Sequence, residues 1–274
     1  MLRSAIHHAL GDTYRRNGRW VDARGQYLHA LEYTREPAYH IRSVHVLGSL
    51  ADLALEQGRL RQSALYWKRA LALIETRATW GTLPLPVTGW VFIHYAGILY
   101  EENQLEAARR HLEQGIERSE LGGDVRAVIA GYLLRARLHL TAGEIDQATA
   151  DLERSRPLVE ETVFPESSAQ FERRQIEIWL ARGLFATALD QATTAFQEVS
   201  ATATEETVAQ LARARVLVER GAQPARERAL AGLEAMLLAA QELGQVRTAA
   251  EALALQAIAH HRNGNQAAAM VLLE

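Results

Sequence analysis

The sequence predicts an all-α protein, an α-solenoid of about seven helix-turn-helix repeats wound as a right-handed superhelix. Three observations carry this. A frame of residues recurs seven times, anchored on Gly18, Gly58, Asn103, Gly143, Gly183, Gly221 and Gly264. These markers lie 40, 45, 40, 40, 38 and 43 residues apart, a period in the range of helical-hairpin arrays. Apolar residues at i, i+3, i+4 and i+7 on both sides of each marker predict two amphipathic helices per repeat, and strand signals are nearly absent.

The first repeat, LGDTYRRNGRWVDARGQYLHAL, sets the offsets. Gly11 lies seven before the marker and Tyr14 four before; Ala23, Tyr27 and Ala30 lie five, nine and twelve after. The second repeat fills these positions with Ala51, Ala54, Ser63, Trp67 and Ala70, and the third with Ala96, Leu99, Ala108, Leu112 and Gly115. The fourth has Ala136, His139, Ala148, Leu152 and Ser155, and the fifth Ile176, Trp179, Ala188, Ala192 and Ala195. In the sixth, Ala214 and Leu217 precede the marker, and the frame slips by about three residues through AQPAR. The seventh has Ala257, His260, Ala269 and Leu273.

Each offset has a physical reason. The marker fits the left-handed conformation that ends a first helix, where a Cβ is penalised. Small residues seven before and five after let the paired helices approach, and the ring or Leu nine after fills the space to the next hairpin. No hairpin buries its apolar face alone, so the repeats must stack. Tyr14, Tyr27, Trp67, Trp179 and Phe196 lie at these packing positions and are expected in the core. Pro and Gly clusters at 77–89 and 156–168 are expected between repeats.

Composition narrows the function. The 274 residues are 48% hydrophobic and 23% charged, with a net charge of −3, so no overall positive field favours nucleic acid. Without cysteine, thiolate metal sites and cysteine nucleophiles are excluded. The N-terminus lacks the apolar core of a signal peptide, and the longest apolar stretch, WVFIHYAGILY at 90–100, is too short to span a bilayer. A soluble, cytoplasmic setting is expected, with no membrane partner.

The pattern small-xx-Tyr/Leu-xxx-Gly-xxxx-Ala-xxx-Tyr-xx-Ala resembles tetratricopeptide repeats, with a period near 40 in place of the usual 34. The stretches AGILYEENQLEAARRHLEQGIERSELGG at 96–123 and GYLLRARLHLTAGEIDQATADLERSRPLV at 131–159 resemble the sensor segment of MalT-like regulators. So do LARARVLVERG at 211–221 and the run from 233 to 274. MalT-like regulators are the large ATP-binding members of the LuxR group of transcription factors. The resemblance implies a single repeat domain over 1–274, taken from a longer regulator, that senses an inducer and docks partners.

The resemblance does not extend to the ATPase or the DNA-binding element. A P-loop needs GxxxxGK[ST], whereas the single lysine, Lys68, sits inside YWKRAL. A recognition helix with clustered basic side chains is missing as well. The alternative is a stand-alone scaffold that docks a peptide or protein.

No catalytic motif such as GxSxG or HExxH occurs, so the chain reads as non-enzymatic, without cofactor or metal. His7-His8 and His260-His261 are sequence neighbours about 100° apart on a helix and do not converge on one ion. His40 and His45, five apart, split the face of theirs.

Binding candidates come from repeat geometry, in which first helices line the concave groove. Six before each marker stand Asp12, Asp52, Gly97, Arg137, Glu177, Arg215 and Ile258. Three before stand Arg15, Leu55, Tyr100, Leu140, Leu180, Val218 and His261, and thirteen before stand His45 and Trp90. From these rows Asp12, Arg15, His45, Asp52, Trp90, Tyr100, Arg137, Glu177 and Arg215 are the candidate groove residues. Trp90 and Tyr100 suit stacking on a sugar or nesting an apolar peptide side chain. The effector is therefore a small molecule such as a sugar, or a peptide or protein, with self-association a further expectation. The plainer alternative for Arg137, Glu177 and Arg215 is a salt-bridge ladder between successive repeats.

The stretch RNGNQAAAMVLLE at 262–274 reads as the turn and second helix of the seventh repeat. Its apolar face lacks a neighbour, so this helix is expected to fray or to pack on another molecule.

Overall fold

Each predicted marker must either turn the chain between two helices or fail visibly, and the backbone angles report which. The computed structural model describes residues 2–36, 39–75, 86–162, 164–195 and 204–272. Among them are helices α1 (Leu2–Arg16), α2 (Trp20–Glu32), α3 (His40–Glu56), α4 (Leu60–Glu75), α5 (Pro86–Glu101), α6 (Leu105–Gly122) and α7 (Val125–Thr141). Then follow α8 (Ile145–Glu161), α9 (Pro165–Ala181), α10 (Phe185–Ala195), α11 (Thr204–Arg220), α12 (Gln223–Glu242), α13 (Val246–Arg262) and α14 (Gln266–Val271). No strand occurs among the described residues. The architecture is an α-solenoid of tetratricopeptide-like hairpins.

Six of the seven markers close their helix as expected. Gly18, Gly58, Asn103, Gly143, Gly183 and Gly264 all have positive φ, between 58° and 79°. Each makes the paired bonds of a Schellman turn. At the first, the Gly18 amide donates to the Arg15 carbonyl (3.0 Å) and the Arg19 amide to the Tyr14 carbonyl (2.9 Å). In all six the carbonyl four before the marker accepts from the amide of the residue after it.

Gly221 is the exception. Its φ is not positive, and Ala222 leaves it extended, with ψ 166°, into α12. Glycine is required there by space instead, because an added Cβ would lie 2.4 Å from the Leu217 carbonyl oxygen. The three-residue slip is real: Ala229, Leu233 and Met236 take the buried slots of the second helix. Gly123 and Gly244 form two further left-handed turns, ending α6 and α12.

The Pro- and Gly-rich segments lie at hairpin boundaries, as expected, but helix runs into both. The last residues of the first are helical, since α5 begins at Pro86; proline lacks the N–H that a first turn leaves unpaired. Gly89 is spent on packing, because a Cβ there would meet Ser119 Oγ at 2.1 Å. In the second, α8 continues through Pro157 to Glu161 and α9 starts at Pro165. Residues 76–85 lie outside the described set.

The chain divides into two compact units, Met1–Leu134 and Arg135–Glu274. In the first, α1/α2, α3/α4 and α5/α6 are hairpins, with α1 against α3 and α3 against α5. Its core holds Tyr27, Trp67 and Leu112, the residues nine after their markers, each 1% exposed or less. Gly11 lies under Tyr27 so closely that a Cβ would sit 2.4 Å from the ring. In the second unit α9, α11 and α13 pack in sequence around Ile176, Ala214, Leu217, Leu233 and Ala252. Trp179 is partly buried against this cluster, and Tyr14 lies under the Arg19 guanidinium at 4.5 Å. Phe196 is outside the described residues. At α14, Ala269 is buried, the Asn265 side chain caps the Ala268 amide, and Met270 and Val271 are 54% and 72% exposed. Leu273 is outside the described residues.

Candidate functional site

In the first unit the candidate residues fall on the first helices α1, α3 and α5, whose second helices supply the packing behind them. Asp12 is half-buried and accepts a 2.7 Å bond from the Tyr27 hydroxyl. Burial and that bond push the phenol far above its ordinary range. Arg15 reaches from α1 to Glu56 of α3 at 3.5 Å. Burial alone would weaken its charge, but Glu56, Asp52 and Asp12 outweigh it and raise its pKa.

His8, one turn before Asp12, bonds Ser49 of α3 through Nε2 at 2.8 Å. His7 instead bonds Gln26 of α2 at 2.7 Å. The two neighbours diverge, as their helical spacing predicts. Desolvation lowers the His8 pKa, with Arg42 and Arg15 adding to it and Asp12 opposing. His45 is lowered in the same way, by burial and then by His8 and Arg42.

The aromatic part of this face lies between α3 and α5. Trp90 stands edge-on to Trp67 with centroids 5.0 Å apart, and His45 and His94 lie beside it at 5.6 and 5.1 Å. His94 in turn stacks on Trp67 at 5.1 Å. Gly48 makes this possible, since a Cβ there would fall 2.1 Å from Trp90 Cη2. Trp90 is therefore half core and half surface. Tyr100 is half-buried at the end of α5, and Gly97 leaves open backbone beside it, with only Leu134 near, at 3.8 Å.

The second unit treats its candidates differently. Glu177 is held by Arg173 and Arg174 of its own helix, and Arg215 pairs with Glu219, also within its helix, at 2.9 Å. Arg137 is half-buried on α7. Ion pairs between repeats include those of Arg213 and Arg173. Arg213 of α11 grips Glu172 of α9 through both nitrogens at 2.5 and 2.7 Å. Arg173 reaches Glu251 of α13 at 2.8 Å, and the carboxylates of Glu251 and Glu177 raise its pKa against the effect of burial. Arg135 of α7 binds buried Asp151 of α8 bidentately, at 2.8 and 2.7 Å. No group of three or more metal-ligating side chains occurs among the described residues. No described helix is long and apolar enough to cross a membrane.

A family model described as the MalT-like TPR region matches residues 1–274. The chain belongs to that family. Among curated proteins no relative matches. Solved structures similar to this MalT-like chain include two helical-repeat proteins. One is a Rap protein complexed with competence and sporulation factor, with a TM-score of 0.70 and 15% identity, covering 100% of this chain and 73% of that one. The other is a tetratricopeptide repeat protein from Parabacteroides merdae ATCC 43184, with a TM-score of 0.55 and 14% identity, covering 99% and 91%. At these identities they speak for the fold alone.

The repeat frame of the MalT-like segment identified its first helices correctly but missed several residues on them. His8, Ser49, Glu56 and His94 share the first unit's face with the candidates, yet all four stand outside the rows that defined the groove. A helix face is wider than one row: residues at i±3 and i±4 lie on it too, and that signal would have found His8, Ser49 and Glu56 from Asp12 and Asp52.

Proposed function

We propose that this chain is the non-enzymatic effector-sensing and protein-interaction segment of a MalT-like, LuxR-group transcription regulator. We further propose that the α1–α3–α5 face of its first unit holds the effector or partner. The observation that carries the reading is the construction of this face. Asp12, Arg15, His45, Asp52, Trp90 and Tyr100 share it, half-buried or partly exposed, with His8 and Arg15 tied across repeats to Ser49 and Glu56. A rigid aromatic flanked by oriented polar groups is what a sugar or an extended peptide needs. Rap's complex with a factor supports the peptide or protein arm. On the second unit Arg137, Glu177 and Arg215 are the corresponding surface, but Glu177 and Arg215 are engaged within their own helices, which favours the first unit.

Binding would bias the regulator between a resting and an assembly-competent state, with a coupling of about 1–3 kcal/mol. Cytoplasmic location and self-association belong to this reading. The test is a thermal-shift screen with sugars, short peptides and small metabolites, followed by titration of each hit against His45→Ala, Asp52→Asn and Tyr100→Phe. Hits should weaken in these variants and keep their affinity in Arg215→Gln. Unchanged affinity in all three would remove the first-unit face from the reading.

A further inference from the structure

A second candidate site lies on the first unit, away from the α1–α3–α5 face. A cavity of about 340 Å³ opens where the end of α2, the start of α3 and the last turns of α4 meet. Leu31, Thr34 and Arg35 line it from the first of these, His40, Ser43 and Leu47 from the second, and Arg69, Ala72 and Leu73 from the third. Leu47 is two residues from His45, so about 200° separates them around α3. The two sites share a helix and use opposite sides of it.

The lining is chemically one-sided. Among the described residues no Asp or Glu contributes to it, while Arg35 and Arg69 both do. Both arginines are exposed at the rim, and neither has a hydrogen bond or ion pair among the described residues. Elsewhere in this chain arginines at helix junctions are matched to carboxylates, as Arg135 is to Asp151 and Arg213 to Glu172.

Deeper in, the two hydroxyls are already used. Ser43 Oγ donates to the Thr34 carbonyl, and Thr34 Oγ1 to the Leu31 carbonyl, each at 2.9 Å. His40 Nδ1 is not: it is shut off from solvent and has no hydrogen-bond partner among the described residues. A buried polar atom without a partner is costly, and its natural complement is a group entering the cavity. The remaining wall, Leu31, Leu47, Ala72 and Leu73, is apolar and suits a compact hydrocarbon body.

We propose that this cavity binds a small organic anion. Its carboxylate or phosphate lies between the Arg35 and Arg69 guanidiniums within reach of His40 Nδ1, and its apolar body lies against Leu31, Leu47 and Leu73. Guanidinium forks match both oxyanions bidentately, and the cavity is of the size that takes a small metabolite. The site is independent of the effector face.

The test titrates the 274-residue chain with phenyl phosphate, benzoate and the neutral benzyl alcohol, by calorimetry or ligand-observed NMR. At least one anion should bind saturably and the alcohol should not; which anion binds more tightly identifies the head group. Arg35→Gln and Arg69→Gln should each weaken binding roughly tenfold or more, as loss of a charge-assisted bond requires. Arg15→Gln, on the effector face, should leave it unchanged. Absence of saturable binding by either anion up to about 10 mM, equal binding of the alcohol, or full affinity in both arginine variants would overturn the proposal. Both substitutions are at exposed positions, so a far-UV spectrum confirms that each variant is folded.

Discussion

Replacing Gly48 by alanine sets one methyl group against the ring of Trp90, and the cost can be worked from the geometry. The new Cβ would lie 2.1 Å from Trp90 Cη2 and 3.0 Å from Trp67 Cη2. Neither ring has room to retreat, because His94 stacks on Trp67 and His45 lies against Trp90. Overpacking of this kind costs about 1–3 kcal/mol. Against it stands the gain from replacing a mid-helix glycine, about 0.8–1 kcal/mol. Gly97→Ala in α5 isolates the second effect, since its Cβ would meet only Leu134 Cδ2, at an ordinary 3.8 Å. Gly97→Ala should therefore stabilise, Gly48→Ala should be neutral to destabilising, and their difference should equal the overpacking cost of about 1–3 kcal/mol. Urea unfolding followed by tryptophan emission measures both, compared at a common m-value. A Gly48→Ala protein as stable as Gly97→Ala would refute the Trp90 packing and with it the construction of the effector face.

Two further outcomes follow from the same geometry. Arg135→Met should destabilise by about 3 kcal/mol because it leaves the buried Asp151 carboxylate to Arg154 and His139, each at 3.6 Å, whereas pairing it with Asp151→Leu should recover much of the loss; denaturant midpoints of the single and double variants decide this. Stability should also fall between pH 7.5 and 5.5. His8, His45 and His111 titrate below their ordinary 6.5 when folded, so the unfolded chain binds more protons and stability is lost as pH drops through 6.5 toward the folded values. The His8→Gln/His45→Gln protein should show a smaller fall between the same two pH values; an undiminished fall would mean these imidazoles are not the groups responsible.

How much of this was legible in the sequence depends on how local the cause is. The turns at Gly18, Gly58, Asn103, Gly143, Gly183 and Gly264 were readable because a left-handed residue and two backbone bonds fit within six consecutive residues. Gly221 broke the rule because its glycine answers to the Leu217 carbonyl and Ala225, a packing demand that looks identical in sequence to a turn. The left-handed turns at Gly123 and Gly244 went unassigned because they end second helices, between hairpins, whereas the frame marks only the turn within each hairpin.

The groove rows show the same limit. Periodicity correctly assigned Asp12, Asp52 and Trp90 to first helices, but it carried no information on partners. A ladder through Arg137, Glu177 and Arg215 was as consistent with the sequence as the pairs observed, Glu172 with Arg213 and Arg173 with Glu251. Those choices rest on distances between helices far apart in the chain. A shift of one ångström or one rotamer exchanges one carboxylate for another without changing the repeat.

The sequence by itself determined the fold class, the seven-fold repeat, the small and large core positions and the family. All of these are written in short, repeated spacings that each hairpin enforces locally. Only the tertiary structure decided that Trp90 is wedged over Gly48, that Arg15 crosses to Glu56, and that Arg35, His40 and Arg69 meet around one cavity. Those meetings join residues up to 42 positions apart through the stacking of whole hairpins, and no period in the sequence encodes them.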